Sequence, residues 1–218
     1  GDLTEKAVLS GQVFALLEKL FTNLKFKSTY VLVGNHDLKN NKVGQETYTL
    51  EFLEYSLHLD TSIFIIKNIQ EIRMFGTSCL FLPHLSPKDQ FTMKSIYEAL
   101  RKKADVLFGH FQDTSLDLPG ESINISGIEA RHICLGHIHT PSDHYIGSVI
   151  PNSIVEAGKM RRIMTFQDGE MEIIPIRNIC DYYSVNYPDP LPVTSADVPI
   201  FTVYNCTDPS IAKEKYGD

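Results

Sequence analysis

The chain has no apolar run near the roughly 18 residues that a membrane-spanning helix needs. It also lacks a basic stretch followed by an apolar one, the pattern of a secretory leader. Both absences argue against a membrane role. It has no CxxC pair: Cys79, Cys134, Cys180 and Cys206 stand far apart, two of them inside apolar runs. The expectation is therefore reduced, buried thiols in a cytoplasmic protein, or a nuclear one if the source is eukaryotic. Basic residues are in deficit, with 20 Lys and Arg against 27 Asp and Glu, a net charge of −7 and a pI near 5.6. That balance argues against a broad basic face for nucleic acid. It leaves open a nuclease that meets phosphate through bound cations, since two divalent ions would bring four positive charges. Residue 1 is Gly and not Met, so the N-terminus is expected to have been cut, processed or left out.

What the chain does contain is the composition of an ordinary globular protein, 43% hydrophobic and 22% charged over 218 residues. That length allows one good-sized core with an appendage. Apolar residues at helical spacing (Val13, Leu16, Leu17, Leu20, Phe21, Leu24) predict an amphipathic helix between Thr4 and Leu24. Tyr30 to Val33 reads as a buried strand and Thr49 to Leu57 as a helix. Ile63 to Ile66, Glu71 to Phe75 and Cys79 to Leu82 read as short strands, the last two joined by a turn at Gly76. Pro87 suits the first turn of a helix running to Lys103, ahead of a strand from Asp105 to Phe108.

After a loop over 112–128, Ile133 to Leu135 is the next strand. Tyr145 to Ser148, Ser153 to Glu156, Arg162 to Phe166 and Met171 to Ile176 follow as further strands, and Asp168-Gly169 marks a hairpin between the last two. The proline-rich stretch Tyr187 to Pro192 reads as a linker. Ile200 to Tyr204 and Pro209 to Lys215 read as a strand and a helix start. The expected class is α/β, with a main domain over 1–185 and a linker and accessory region over 186–218.

The chemistry concentrates at strand ends. Gly34-Asn35-His36-Asp37 follows Tyr30-Val31-Leu32-Val33, and Gly136-His137-Ile138-His139 follows Ile133-Cys134-Leu135. Polar side chains at the carboxyl ends of buried strands are where α/β folds build sites. Asp2 and His110 are further candidates. Imidazole nitrogen with carboxylate and amide oxygen suits Mn²⁺, Fe²⁺ or Zn²⁺ better than the all-oxygen shells of Ca²⁺ or Mg²⁺. A glycine before each cluster lets backbone and substrate approach closely. His84 follows a strand and is a candidate for the site rim. His58 reads as a surface residue, His132 as structural, and Tyr48 and Phe111 as packing residues. Lys39 and Lys42, and Lys159, Arg161 and Arg162, read first as solvated charge.

The order and spacing of Gly1-Asp2, Gly34-Asn35-His36-Asp37, Gly109-His110 and Gly136-His137-Ile138-His139 resemble the calcineurin-like metallophosphoesterases. Within that superfamily the chain looks most like the Mre11/SbcD nucleases, including the phage recombination nuclease subunit. The motifs for this are Leu82-Pro83-His84-Leu85-Ser86-Pro87, Tyr145-Ile146-Gly147-Ser148 followed by Glu156, and the hairpin running into Ile174-Pro175-Ile176-Arg177. The resemblance covers roughly residues 1–180.

It implies a four-layer α/β/β/α sandwich, and two divalent metal ions about 3.5 Å apart, manganese first, with iron, zinc or magnesium as alternatives. By the resemblance Asp2 bridges the ions, Asn35, His110 and His137 complete one shell, and His139 binds the other. His36 then stabilises the phosphate and protonates the leaving oxygen, with Asp37 orienting its imidazole. The family's opening Asp-x-His motif is not in this sequence, so the N-terminal strand and two ligands of the second ion are expected to be missing from the chain. The implied partners are DNA, a Rad50/SbcC-like ATPase subunit and a second copy in a homodimer, with no membrane. A cyclic-nucleotide or other small-molecule phosphodiesterase is the alternative enzyme. A non-catalytic binding module is the alternative outside enzymology.

Overall fold

The computed structural model describes residues 1–4, 10–23, 26–38, 48–57, 63–85, 90–149, 156, 158–176, 180–193 and 198–216. It is a mixed α/β chain that divides into two compact units, Gly1–His137 and Ile138–Asp218. Among the described residues no helix is long and apolar enough to cross a membrane.

In the first unit, α1 (Gly11–Asn23) begins after Ser10, whose hydroxyl accepts the Val13 N–H, an N-cap arrangement. At its other end Thr22 and Asn23 donate side-chain hydrogen bonds back to the carbonyls of Glu18 and Lys19, one turn earlier. The apolar spacing read from the sequence contains two stripes, and among the described residues only one is covered. Phe21 is buried, with Phe14 and Leu17 packed on the same core, while Val13, Leu16 and Leu20 are exposed. That core is completed by Leu50 and Leu53 of α2 (Tyr48–Leu57) and by Ile63 and Ile65 of β2 (Ile63–Ile66), which pairs in parallel with β1 (Thr29–Leu32).

A four-stranded sheet follows in the order β3-β4-β5-β8, built from β3 (Gln70–Met74), β4 (Thr77–Leu82), β5 (Ala104–His110) and β8 (Ala130–Gly136). β3 and β4 form an antiparallel hairpin, whereas β4, β5 and β8 are parallel. Helix α3 (Gln90–Leu100) connects β4 to β5 and buries Ile96, Ala99 and Leu100. Between β5 and β8 lie two short strands, β6 (Gln112–Asp113) and β7 (Ser122–Ile123). The parallel register sets His110 opposite Gly136 and Leu82 opposite Gly109, so the carboxyl ends of the strands finish together.

A row of rings, Phe64, Tyr30, Phe81 and Phe108, runs with centroids 5.1, 5.8 and 5.2 Å apart. It links the β1–β2 pair to the four-stranded sheet through contacts of the size that stabilise sheets. Beyond β4 the His84 N–H donates to the Val33 carbonyl at 2.8 Å, so the exits of β1 and β4 are also joined.

In the second unit, β9 (Arg161–Gln167) and β10 (Glu170–Ile176) form the hairpin expected from Asp168-Gly169. Both turn residues have positive φ, 54° and 81°, as a two-residue turn of this hand requires. The strand expected over Tyr145–Ser148 is not formed: Tyr145 makes an isolated bridge and Gly147 turns the chain at φ +80°. Of the strand expected over Ser153–Glu156, only Glu156 lies among the described residues. Lys39, Lys42, His58 and the start of the helix expected at Pro87 lie outside them.

Unforeseen in the sequence is β11 (Cys180–Asn186), which pairs in parallel with β12 (Val198–Tyr204) across the 185/186 boundary. Helix α4 (Pro209–Tyr216) follows, and its Tyr216 hydroxyl donates to the Asp189 carbonyl at 2.6 Å.

Leu107 is fully buried at the middle of β5, between β4 and β8. Leu107→Ala is expected to cost about 2–5 kcal/mol, read as a fall in the urea midpoint of the first unit. An unchanged midpoint would show that the sheet does not depend on this side chain.

Candidate metal centre

Four strand exits of the first unit each deliver one polar side chain to the same place. Asn35 follows β1, His84 follows β4, His110 ends β5 and His137 follows β8. The Asp2 carboxylate joins them from the N-terminal segment. Asp2 Oδ2 lies 3.0 Å from His110 Nε2. Asn35 Oδ1 lies 3.3 Å from the same Nε2 and 3.1 Å from His137 Nδ1. The Asp2, His110 and His137 donor atoms all fall within 4.8 Å of one another, the grouping a metal ion requires. Donor atoms bound to one ion at about 2.1 Å lie about 3.0 Å apart at a right angle and about 3.4 Å apart at the tetrahedral angle. The Asp2–His110, Asn35–His110 and Asn35–His137 separations fall in that range.

Two of these ligand-type residues have strained backbones. Asp2 has φ 56° and His137 has φ 84°, in the left-handed region that costs a residue with a side chain about 1–3 kcal/mol. The neighbouring glycines are present for clearance. A Cβ on Gly34 would sit 2.1 Å from Asp2 Oδ1 and 2.3 Å from the Asp2 nitrogen. A Cβ on Gly136 would sit 2.9 Å from His110 Nδ1. The His110 ring is therefore seated by the space Gly136 leaves, and its buried Nδ1 has no hydrogen-bond partner.

Asp37 differs from its expected role. It is completely buried, and its carboxylate accepts four hydrogen bonds: from the Asp2 and Gly34 N–H groups at Oδ2, and from the Thr4 N–H and hydroxyl at Oδ1, all at 2.9 Å. A carboxylate has about four lone-pair positions, so these contacts saturate it. It holds the Asp2–Thr4 segment against the β1 exit and does not orient the His36 imidazole. The part played by Thr4 was not foreseen. Nothing in Leu3-Thr4 distinguishes a threonine that caps a carboxylate from one on the surface.

His36 is half-buried next to the cluster, and its N–H donates to Asp2 Oδ1 at 2.9 Å. His84 packs its ring against both cluster histidines, 6.4 Å from His137 and 6.5 Å from His110. Phe111 is buried, with its ring against Gly109. His139 belongs to the second unit, where its Nδ1 lies 2.9 Å from Glu156 Oε1.

The electrostatics keep the donors in their ligating forms. Burial on its own would raise the Asp2 pKa. The hydrogen bond and charge of His110, the His36 N–H and the His36 charge outweigh it and hold the carboxyl down at about 2. Burial lowers His110 to about 4 in spite of the Asp2 carboxylate. Burial also lowers His84, and the neighbouring His137 lowers it further. At neutral pH the centre thus offers one carboxylate charge beside the neutral His110 imidazole and the Asn35 amide oxygen.

No protein-family model matches the chain, and no curated protein matches it.

The two depressed values have a consequence for the metal-free protein. On unfolding, His110 takes up a proton below pH 6.5 and Asp2 below pH 3.8, whereas in the fold they wait until about 4 and 2. The unfolded chain binds more protons in both windows, so stability is lost as pH falls, first from 6.5 to 4 and then from 3.8 to 2. Urea midpoints of the metal-free chain should drop between pH 7 and 4.5, and less steeply in His110→Gln. Equal slopes in the two proteins would count against a buried neutral His110.

Proposed function

We propose that this chain hydrolyses phosphodiesters with divalent metal ions, and that its substrate is DNA. The observation that carries the reading is the convergence of Asp2, His110 and His137 donor atoms within 4.8 Å of one another, with Asn35 Oδ1 3.1 Å from His137 and 3.3 Å from His110. These residues fit a borderline ion such as Mn²⁺, Fe²⁺ or Zn²⁺: one carboxylate, one amide oxygen and two imidazoles, with the carboxylate ionised and His110 neutral at working pH. The fit is supported further by Gly34 and Gly136, where a Cβ would collide with Asp2 and His110.

The motif order supports the finer proposal. We place the chain with the calcineurin-like metallophosphoesterases and, within them, the Mre11/SbcD nucleases, as a four-layer α/β/β/α sandwich that works with a Rad50/SbcC-like ATPase. Asp2, Asn35, His110 and His137 would hold one ion, His139 would bind another, and manganese is the first choice for both. When bound, such ions supply a nucleophilic water at neutral pH and offset the charge of the phosphate.

The chain's own residues do the rest. Asp37, through its four hydrogen bonds, fixes Asp2, and Asp2 in turn accepts the His36 N–H, so His36 keeps its place relative to the ligands. Its imidazole is the proton donor we assign to the leaving oxygen. His84 lines the rim, where its ring packs against the ligand histidines.

The test is Mn²⁺ binding and turnover on end-labelled duplex DNA, with a cyclic nucleotide as the competing substrate. The chain is expected to bind Mn²⁺ and cleave DNA, and chelation should abolish the cleavage. His36→Ala should keep the metal and lose about 10²–10⁴-fold in turnover, the range for a missing general acid. A His36→Ala protein without metal would remove His36 from its assigned role. Cleavage of only the cyclic nucleotide would move the chain to the small-molecule phosphodiesterases.

A further inference from the structure

His139 is held by a buried network of the second unit. Its side chain is 42% exposed, while that of the Glu156 contacting its Nδ1 at 2.9 Å is 10% exposed. Ser148 binds both partners: its hydroxyl donates to Glu156 Oε2 at 2.9 Å, and its N–H donates to the His139 carbonyl at 3.0 Å. Arg161, fully buried, anchors the assembly. Its Nη1 donates to the Ser148 hydroxyl at 3.1 Å and lies 3.9 Å from Glu156 Oε2, and its Nη2 donates to the Glu156 carbonyl at 2.8 Å. The turn that brings Ser148 back to His139 depends on Gly147, at φ +80°. A Cβ there would lie 2.6 Å from Pro141 Cγ and 2.9 Å from the His139 oxygen.

An ionised carboxylate can only accept, so the proton in the His139–Glu156 contact resides on Nδ1. A neutral imidazole protonated at Nδ1 carries its lone pair at Nε2. A histidine serving only to fill a core would have its ring covered, yet this ring is substantially exposed while its carboxylate partner is buried. Carboxylates that take the second N–H of a histidine are the usual means of fixing that ring as a cation ligand.

We infer that Glu156 is a positioning residue for His139, fixing the tautomer and orientation that present Nε2 to a divalent cation. The cation's identity rests on the metal-dependent reading above; the Glu156–His139 coupling does not.

The experiment is a long-range ¹H–¹⁵N correlation of the imidazole nitrogens in the metal-free ¹⁵N-labelled chain, followed by Mn²⁺ titration. Wild-type His139 is expected to show a protonated Nδ1 and a bare Nε2. Glu156→Ala should give a mixture of tautomers, and Glu156→Gln, which keeps an acceptor oxygen, should retain the wild-type form. In the titration, Glu156→Ala should weaken by about 10–100-fold the Mn²⁺ site that His139→Ala abolishes, and leave the Asp2–His110–His137 site unchanged.

A wild-type His139 protonated at Nε2 would overturn the proposal whether or not any variant folds. So would a Glu156→Ala protein with an unchanged tautomer. If the wild-type tautomer is as expected and is lost in Glu156→Ala, but no His139-dependent Mn²⁺ binding exists, the positioning stands and the metal reading of His139 falls.

Discussion

The buried carboxylate of Asp37 is the constraint on which the candidate centre depends. An ionised carboxyl without exposure is tolerable only when its lone pairs are met, and four donors meet them here. Three of the four are backbone N–H groups, from Asp2, Thr4 and Gly34. The charge therefore binds two stretches of chain that are about thirty residues apart in sequence and adjacent in space. With Asp2 pinned by its own N–H, its side chain has one direction to go, past Gly34 and on to His110. The left-handed backbone at Asp2 is sustained by the same bonds, as strain must be when the surroundings over-determine it.

The two units hold histidines by different physics. His110 is oriented by shape: Gly136 opposite it in the register leaves the pocket, Asp2 and Asn35 meet Nε2, and Nδ1 makes no hydrogen bond. Shape fixes where the ring lies, while burial fixes its charge by keeping it neutral. His139 is oriented by charge: a carboxylate on Nδ1 sets both ring direction and tautomer, and Ser148 and Arg161 fix that carboxylate. The first arrangement fails through a clash and the second through the loss of one acceptor, so the two are separable by substitution.

Much of this was legible in the sequence, and the limits were physical. The strand-end tetrapeptides were readable because a glycine followed by Asn, His or Asp after an apolar run has few uses in a core. His84 was readable as a candidate from its place just past the end of β4. The role of Asp37 was not, because a carboxylate beside a histidine in sequence has no fixed direction, and two of the three backbone donors that claim it come from residues 2 and 4. Helix α1 carries two apolar stripes one residue apart, and periodicity alone does not say which one meets Leu50 and Leu53. β11 was missed because Cys180-Asp181-Tyr182-Tyr183-Ser184 lacks a clean alternation, and its partner is a parallel strand more than ten residues away. The strand expected at Tyr145–Ser148 instead became a turn, where Gly147 supplies the positive φ that lets Ser148 reach Glu156.

The net charge of −7 sets a final question: how an acidic chain would attract a phosphodiester. The answer lies in how few of its charges reach the centre. Asp37 is turned wholly toward N–H and O–H donors, and Asn35 contributes a neutral oxygen. His110 and His84 are kept neutral by burial, which leaves Asp2, among the described residues, as the carboxylate whose oxygen faces the cluster. Under the proposed reading, a single dication against that one negative charge already makes the centre net positive. The field of a bound ion at contact distance outweighs diffuse surface carboxylates that salt screens within about 10 Å. Affinity for phosphate then belongs to the loaded centre and not to the surface, so the acidic composition and phosphodiester chemistry are compatible in one chain.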